Sequence, residues 1–301
     1  MNGILCIDKP IGFTSFDVVA KLRGMAKTKK IGHGGTLDPM ATGVLPLFIG
    51  GATKASDLLP NQDKGYIATF RLGLTTDTLD ITGRVLEERP VTAGEDQVAA
   101  AVAGFEGKSS QLPPMYSAVR VKGQRLYDLA RQGVEVERSP RKIEIFNIKM
   151  LASDPVGGEY TIDVHCSKGT YIRSLCHDIG ERLGCGATLT ALRRRLACGY
   201  TLEDCITLEE AQVLADAGGL EHRLLPVETA FRELPSLSLT SRQARLLQNG
   251  VRMDLGEFEA IPRQPGATVA CYGPGSTFLG LGVTDKGVLR VKRLFVREAD
   301  Q

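Results

Sequence analysis

Tryptophan is absent from this 301-residue chain, and aromatic residues make up only 6% of it. That excludes a broad platform of stacked rings for single-stranded nucleic acid. No apolar run approaches the roughly 18 residues that a membrane-crossing helix requires, so no membrane partner is expected. The opening stretch Met1-Asn2-Gly3-Ile4-Leu5-Cys6-Ile7-Asp8-Lys9-Pro10 lacks the basic start and apolar segment of a secretory leader. It reads as a first strand ending in a turn. Cysteine pairs are missing as well. Cys6, Cys166, Cys176, Cys185, Cys198, Cys205 and Cys271 include no Cys-x-x-Cys, which argues against a disulfide framework and a zinc ribbon. His165-Cys166 and Cys176-His177 come nearest to metal ligands. Yet both cysteines fall at apolar positions of a strand and a helix, where cysteine packs as a small hydrophobe. The expectation is a reduced, cytoplasmic protein without a metal.

Net charge is only +2 and by itself says nothing about partners. The distribution says more. Lys21, Arg23, Lys27, Lys29 and Lys30 run towards His33. Arg120, Lys122, Arg125 and Arg131 form a second cluster, followed by Arg138, Arg141 and Lys142. Arg193-Arg194-Arg195 is a third, and Arg290, Lys292, Arg293 and Arg297 a fourth. Basic clusters on a balanced chain fit a nucleic-acid footprint, although solvated helix faces produce similar runs.

With 43% hydrophobic residues the chain can bury a large core, and its length suits one large domain plus a small one. Ser15 can cap a helix to about Ala26, with Val18, Val19, Leu22 and Met25 inward. Residues 65–73 alternate like a strand, and Val98, Val102 and Phe105 mark a further helix. Residues 107–142 are polar and proline-broken, and read as an insertion projecting from the core. Residues 143–150 and 159–166 alternate as antiparallel strands around a turn at 154–158. Ile172, Leu175, Cys176, Ile179 and Leu183 lie at helical spacing, with Gly184 ending the helix. Thr207 with Glu210 and Thr240 with Gln243 cap two more helices. After Leu234-Pro235 the pattern resets into three short strands, a separate unit of compact β structure.

Residues 32–45, Gly-His-Gly-Gly-Thr-Leu-Asp-Pro-Met-Ala-Thr-Gly-Val-Leu, carry the strongest functional signal. One carboxylate, Asp38, stands among glycines that permit close approaches, and Pro39 biases it towards an extended backbone. This suits a catalytic loop. The plain alternative is an Asp-Pro turn served by its glycines.

Several segments, in order, resemble one family, the bacterial tRNA pseudouridine-55 synthases. They are Asp8-Lys9-Pro10 through Thr14-Ser15, the 32–45 loop, and Gly65-Tyr66 with Arg71-Leu72-Gly73 and Thr76-Asp77-Thr78-Leu79-Asp80. Further along come Pro113-Pro114-Met115-Tyr116-Ser117-Ala118, the run from Cys166 through Ser167-Lys168-Gly169-Thr170-Tyr171-Ile172 to Arg173, and Leu192-Arg193-Arg194. Gly34 and Arg120 depart from the Ala and Lys frequent in that family. The resemblance implies a mixed α+β fold, with a largely antiparallel central sheet flanked by helices. It makes residues 107–142 a thumb that closes on an RNA stem-loop. It also divides the chain into a catalytic domain at 1–234 and a PUA-like RNA-binding domain at 235–301.

The implied reaction isomerises a uridine in the T loop of tRNA to pseudouridine. The resemblance assigns Asp38 to attack at C1′ or to take a proton from C2′, and Arg173 to pair with it. It assigns Tyr66 to stack on the uracil and take the C5 proton. His33 fills the space that the flipped base vacates, Tyr171 and Leu192 line the base pocket, and Lys9 and Pro10 support the loop. No cofactor and no guide RNA are implied, and a monomer is expected. An RNA glycosylase and a non-catalytic tRNA-binding or folding helper are the competing readings.

Overall fold

The computed structural model describes residues 1–117, 119–121 and 123–295. Ala118, Lys122 and Arg297, and the side chains of Arg120 and Arg125, lie outside the described residues. The chain opens with β1 (Gly3–Lys9), α1 (Ser15–Met25), a short β2 (Ile31–His33) and β3 (Thr42–Ile49). Next come β4 (Lys64–Leu72), the hairpin β5 (Leu74–Thr76) and β6 (Val85–Glu88), α2 (Glu95–Ala103) and β7 (Gly107–Gln111). A small excursion carries β8 (Arg120–Val121), β9 (Gln124–Arg125) and α3 (Leu126–Arg131) before β10 (Arg141–Asp154) and β11 (Glu159–Cys166). Then follow α4 (Ile172–Arg182), β12 (Ala187–Ala197), β13 (Tyr200–Thr201), β14 (Cys205–Ile206) and α5 (Leu208–Asp216). The last part contains β15 (Ser236–Ser238), α6 (Ser241–Gln248), β16 (Met253–Asp254), β17 (Thr268–Tyr272), β18 (Phe278–Asp285) and β19 (Val288–Leu294).

Local signals explain most of these elements. In β11, Tyr160, Ile162, Val164 and Cys166 are buried, while the residues between them are more open, the period-two pattern of a strand with one face in the core. In α4, Ile172, Leu175, Cys176 and Ile179 face inward, as a period of 3.6 dictates. Thr207 and Thr240 cap α5 and α6 as expected. The cap of α1 is different: Thr14, not Ser15, forms the capping box with Asp17. Ser15 is buried and serves the catalytic loop instead, as described below.

The central sheet runs β14-β1-β3-β12-β4-β11-β10-β7, with β2 alongside β3 and β13 alongside β12. Its pairs are antiparallel except β1–β14 and β3–β12. The 107–142 insertion is shorter than expected, because Gly107–Gln111 pairs with residues 141–145 as the edge of this sheet. That edge strand is polar and mostly exposed, so its sequence reads as loop. Only residues 112–140 leave the sheet.

The C-terminal part is a second sheet of five strands, ordered β15-β17-β18-β19-β16. Three strands were legible; β15 and β16, of three and two residues, are too short to show alternation. This sheet does not stand clear of the first. Ala270, Phe278 and Leu281 share a core cluster with Ile4, Val44, Phe48, Tyr200 and Phe231. The Phe231 ring lies 5.9 Å from Phe278 and 5.5 Å from Phe295, centroid to centroid. Burial of each such ring contributes about 1.5–3 kcal/mol.

Candidate active site

Asp38 sits on the loop between β2 and β3, in a cleft of about 330 Å³. The cleft is lined by Asp38, Tyr66, Tyr171, Arg173 and Leu192, so five of the expected residues converge from four separate segments. Gly34–Leu37, Gln62, Lys64, Ser117, residues 168–170 and Ile172 complete the wall. His33 is not among the lining residues. It ends β2 beside the loop, where its Nδ1 accepts from the Gly35 amide at 3.3 Å. Burial and the nearby Arg194 hold its pKa below the ordinary value, so the ring is held as a neutral acceptor.

The Asp38–Arg173 pair is direct. Arg173 Nε lies 2.9 Å from Asp38 Oδ2. Arg173 is the second residue of α4, and its whole guanidinium is engaged. Nη1 donates to the Thr78 carbonyl at 2.9 Å and lies 3.5 Å from Asp80 Oδ2, while Nη2 donates to the Tyr116 carbonyl at 2.8 Å. Asp80 is buried and held in turn by Thr78 Oγ1 at 2.9 Å and by the Thr82 amide at 3.0 Å. One arginine therefore ties the catalytic loop to the 76–82 turn and to the 112–140 segment.

The loop is fixed from below by three side chains. Ser15 Oγ accepts from the Leu37 amide at 2.7 Å and donates to its carbonyl at 3.2 Å. That seats Leu37 in the core beside Tyr66 and Leu192. Lys9 Nζ donates to the carbonyls of Pro10, Phe13 and Pro39 at 2.8, 2.7 and 3.4 Å. The Gly12 amide also donates to Pro39, at 2.8 Å, so the turn after Pro10 props the loop. Burial lowers the Lys9 pKa to about 8 against the pull of Asp38.

The third support is Arg194, which the sequence places in a basic run and the structure removes from any surface patch. Its side chain is fully buried, and it donates from Nε to Val44, from Nη1 to Thr36 and from Nη2 to Gly35, at 2.8, 3.1 and 3.0 Å to their carbonyls. Its neighbours point the other way into ion pairs: Arg193 with Asp8 and Arg195 with Asp163, each at 2.7 Å. The strand period would have singled out Arg194 had its register been known. Gly43 is obligatory here. Its φ is +104°, and a Cβ would lie 2.2 Å from the Arg194 carbonyl oxygen.

A guanidinium beside a carboxylate favours its charged form, and the electrostatics of Asp38 differ from that simple expectation. Arg173 and Lys9 favour its charged form, but burial, aided by Asp80, outweighs them and raises its pKa. Burial likewise raises that of Tyr66, with Arg194 opposing; the two face each other across β4 and β12. The arrangement offers a half-buried carboxylate, oriented by a guanidinium, against a phenol and an apolar side chain. It suits attack on, or proton removal from, a flat ligand held between Tyr66 and Leu192.

Comparison with known proteins identifies the family to which the chain belongs. The family model described as TruB family pseudouridylate synthase, N-terminal domain, matches residues 23–172. That of the tRNA pseudouridylate synthase B C-terminal domain matches residues 173–232. A tRNA pseudouridine synthase B of Clostridium tetani is 41% identical over 98% of this chain and 100% of its own length. One from Haemophilus influenzae is 39% identical over 99% and 97%. Among solved structures, a chain of a Cbf5-Nop10-Gar1 complex superposes with a TM-score of 0.75 at 26% identity, covering 99% of this chain and 86% of that one. The protein belongs to the TruB family of pseudouridylate synthases.

Proposed function

We propose that this chain isomerises uridine to pseudouridine in tRNA, at position 55 of the T loop, with Asp38 as the essential acid. The observation that carries the reading is the Asp38–Arg173 pair at 2.9 Å in a cleft shared with Tyr66 and Leu192. The full-length similarity to relatives named tRNA pseudouridine synthase B supports the substrate. The uridine leaves its stack at a cost of a few kcal/mol and enters the cleft, with His33 steadying the loop that it vacates. Asp38 attacks C1′, or removes the C2′ proton, as the C1′–N1 bond breaks and the pair of electrons stays on uracil. The base turns between Tyr66 and Leu192, C5 bonds to C1′, and Asp38 leaves or returns its proton. Tyr66, a neutral phenol, then passes its hydroxyl proton on towards N1 as it takes the C5 proton, so one proton leaves C5, one arrives at N1, and atoms and charge balance without a cofactor.

The same reading makes residues 112–140 a thumb over the stem-loop and residues 235–301 a PUA-like RNA-binding domain beside a catalytic domain at 1–234. It makes the protein a cytoplasmic monomer that needs no guide RNA. The test is mass spectrometry of tRNA incubated with the protein, with carbodiimide mapping of the modified position. Free uracil and an abasic site would instead establish a glycosylase. Binding with no change in the RNA would leave a non-catalytic helper.

A further inference from the structure

Lys64 is a buried cation that the reaction just described does not use. It begins β4 two residues before Tyr66, so both side chains lie on one face of the strand. It is only 9% exposed, yet it lines the cleft. Its Nζ donates to the Gln62 carbonyl at 2.9 Å and lies 3.8 Å from Cys198 Sγ. An ammonium carries three donors, and a neutral carbonyl with a thiol is a poor set of partners for a charge taken out of water. Burial, with Arg194 near, accordingly lowers its pKa.

The cleft has a surplus of positive charge. Its charged lining residues are Lys64, Lys168 and Arg173 against Asp38 alone, and Asp38 is already paired with Arg173. Neither Lys64 nor Lys168 is ion-paired among the described residues. Gly35 packs closely against the lysine stem: a Cβ there would lie 3.1 Å from Lys64 Cε, and the φ of +140° disfavours any side chain. The 34–36 backbone, Gln62 and Lys64 thus form one cationic end of the cleft, while Asp38 and Arg173 form the reacting part.

We propose that Lys64 binds a backbone phosphate that flanks the flipped nucleotide, as a phosphate anchor for the substrate uridine. This rests on the isomerase reading for the identity of the RNA. A phosphodiester oxygen supplies the anion that Lys64 lacks in the free protein, and charge-assisted bonds of this kind are the strong ones. Anchoring the phosphate fixes where C1′ falls relative to Asp38, so Lys64 is a binding and positioning residue and no proton transfer passes through it.

The test uses the full chain with T stem-loop RNA carrying a single neutral methylphosphonate at either phosphate flanking the target uridine, or at a distant control phosphate. Binding is read by fluorescence anisotropy across a salt series. For the parent, neutralising one flanking phosphate should weaken binding about ten- to a hundredfold, and the control should not. Lys64→Met should lose a similar factor and about one unit of the salt slope, with Lys64→Arg recovering most of it. In Lys64→Met the methylphosphonate should cost nothing more. A parent indifferent to both flanking methylphosphonates overturns the proposal whatever the variants do, including a variant that fails to fold. So does a Lys64→Met protein that binds normally but turns over slowly, which would place the lysine against the departing uracil. A parent that binds with this dependence yet forms no pseudouridine would sink the isomerase reading and uphold the anchor.

Discussion

The two walls of the cleft are built in opposite ways. The wall that carries Asp38 is held by buried side chains from two distant parts of the chain: Lys9 and Ser15 near the start and Arg194 on β12 each bond loop backbone. The facing wall, from the 112–140 segment, is attached mainly at its base. Gln111 and Tyr171 exchange two bonds at 2.8 and 3.0 Å, and Arg138 reaches the Pro113 carbonyl at 3.0 Å. Nearer the chemistry, Ser174 Oγ donates to the Leu112 carbonyl at 3.2 Å and Arg173 to that of Tyr116 at 2.8 Å. Reacting groups must be held to fractions of an ångström, whereas a surface that grips RNA has to let it in and out. On the proposed function, the difference between the walls follows that division of labour.

The largest effect should come from the rigid wall itself. Asp38→Asn keeps the shape and neither attacks nor accepts a proton. Turnover should fall by over a thousandfold, a barrier increase of about 5 kcal/mol or more, with tRNA binding near normal in a gel-shift titration. Activity within tenfold of the parent would be evidence against the assignment. Tyr66→Phe should come next. It keeps the stacking ring but cannot take the C5 proton, so a single-turnover assay should show a severe loss of product with RNA affinity preserved.

Arg194→Met tests whether the wall's rigidity matters apart from its chemistry. The loop carbonyls of Gly35 and Thr36 and the β3 carbonyl of Val44 lose their donor at once, and an unmet buried polar group costs about 1–3 kcal/mol. The melting temperature should drop and turnover should fall with it, while Arg193→Ala, which breaks an ion pair that is partly exposed, should change stability by about 1 kcal/mol or less. Equal effects from the two would remove the distinction between buried support and surface charge.

pH separates the roles of Asp38 in folding and in catalysis. Its pKa is raised by burial, so the protonated form is the one that folding favours. The stability that this group contributes is present at acid pH and is lost as pH rises through the folded value, from the ordinary carboxylate value of about 4 upward. Catalysis needs the ionised form and should rise through the same window. The stability advantage of Asp38→Asn over the parent should therefore grow as pH climbs, in chemical melts at a series of pH values, while the parent's turnover grows too. The smallest effect belongs to the looser wall: Arg138→Ala should raise KM by less than about threefold and leave kcat and melting unchanged.

Part of this site was legible because its signals are local. Asp38 stands out locally among its glycines, while Tyr66 in an alternating run and Arg173 at a helix start were named only through the family resemblance; the three line one cleft. Arg194 did not stand out, because flanking arginines made it look like surface charge and only the register of β12 against β4 reveals which of the three turns inward. Ser15 was read as a cap because Thr14 beside it could not be told apart by type; its bond to Leu37 spans 22 residues. The raised pKa of Asp38 was missed for a related reason, since a partner can be named from sequence but the depth of burial cannot. The parallel contacts of β1 with β14 and of β3 with β12 are set by long-range packing and carry no local mark.

The shared core around Phe231 has a consequence for how the chain is made. Ala270, Phe278 and Leu281 fill a cluster with Phe48, Tyr200 and Phe231, so a chain truncated after residue 235 should melt earlier as well as bind tRNA more weakly. During synthesis the same truncation exists for a time on every ribosome. The nascent chain emerges with those rings uncovered and stays sticky until its final segment clears the exit tunnel.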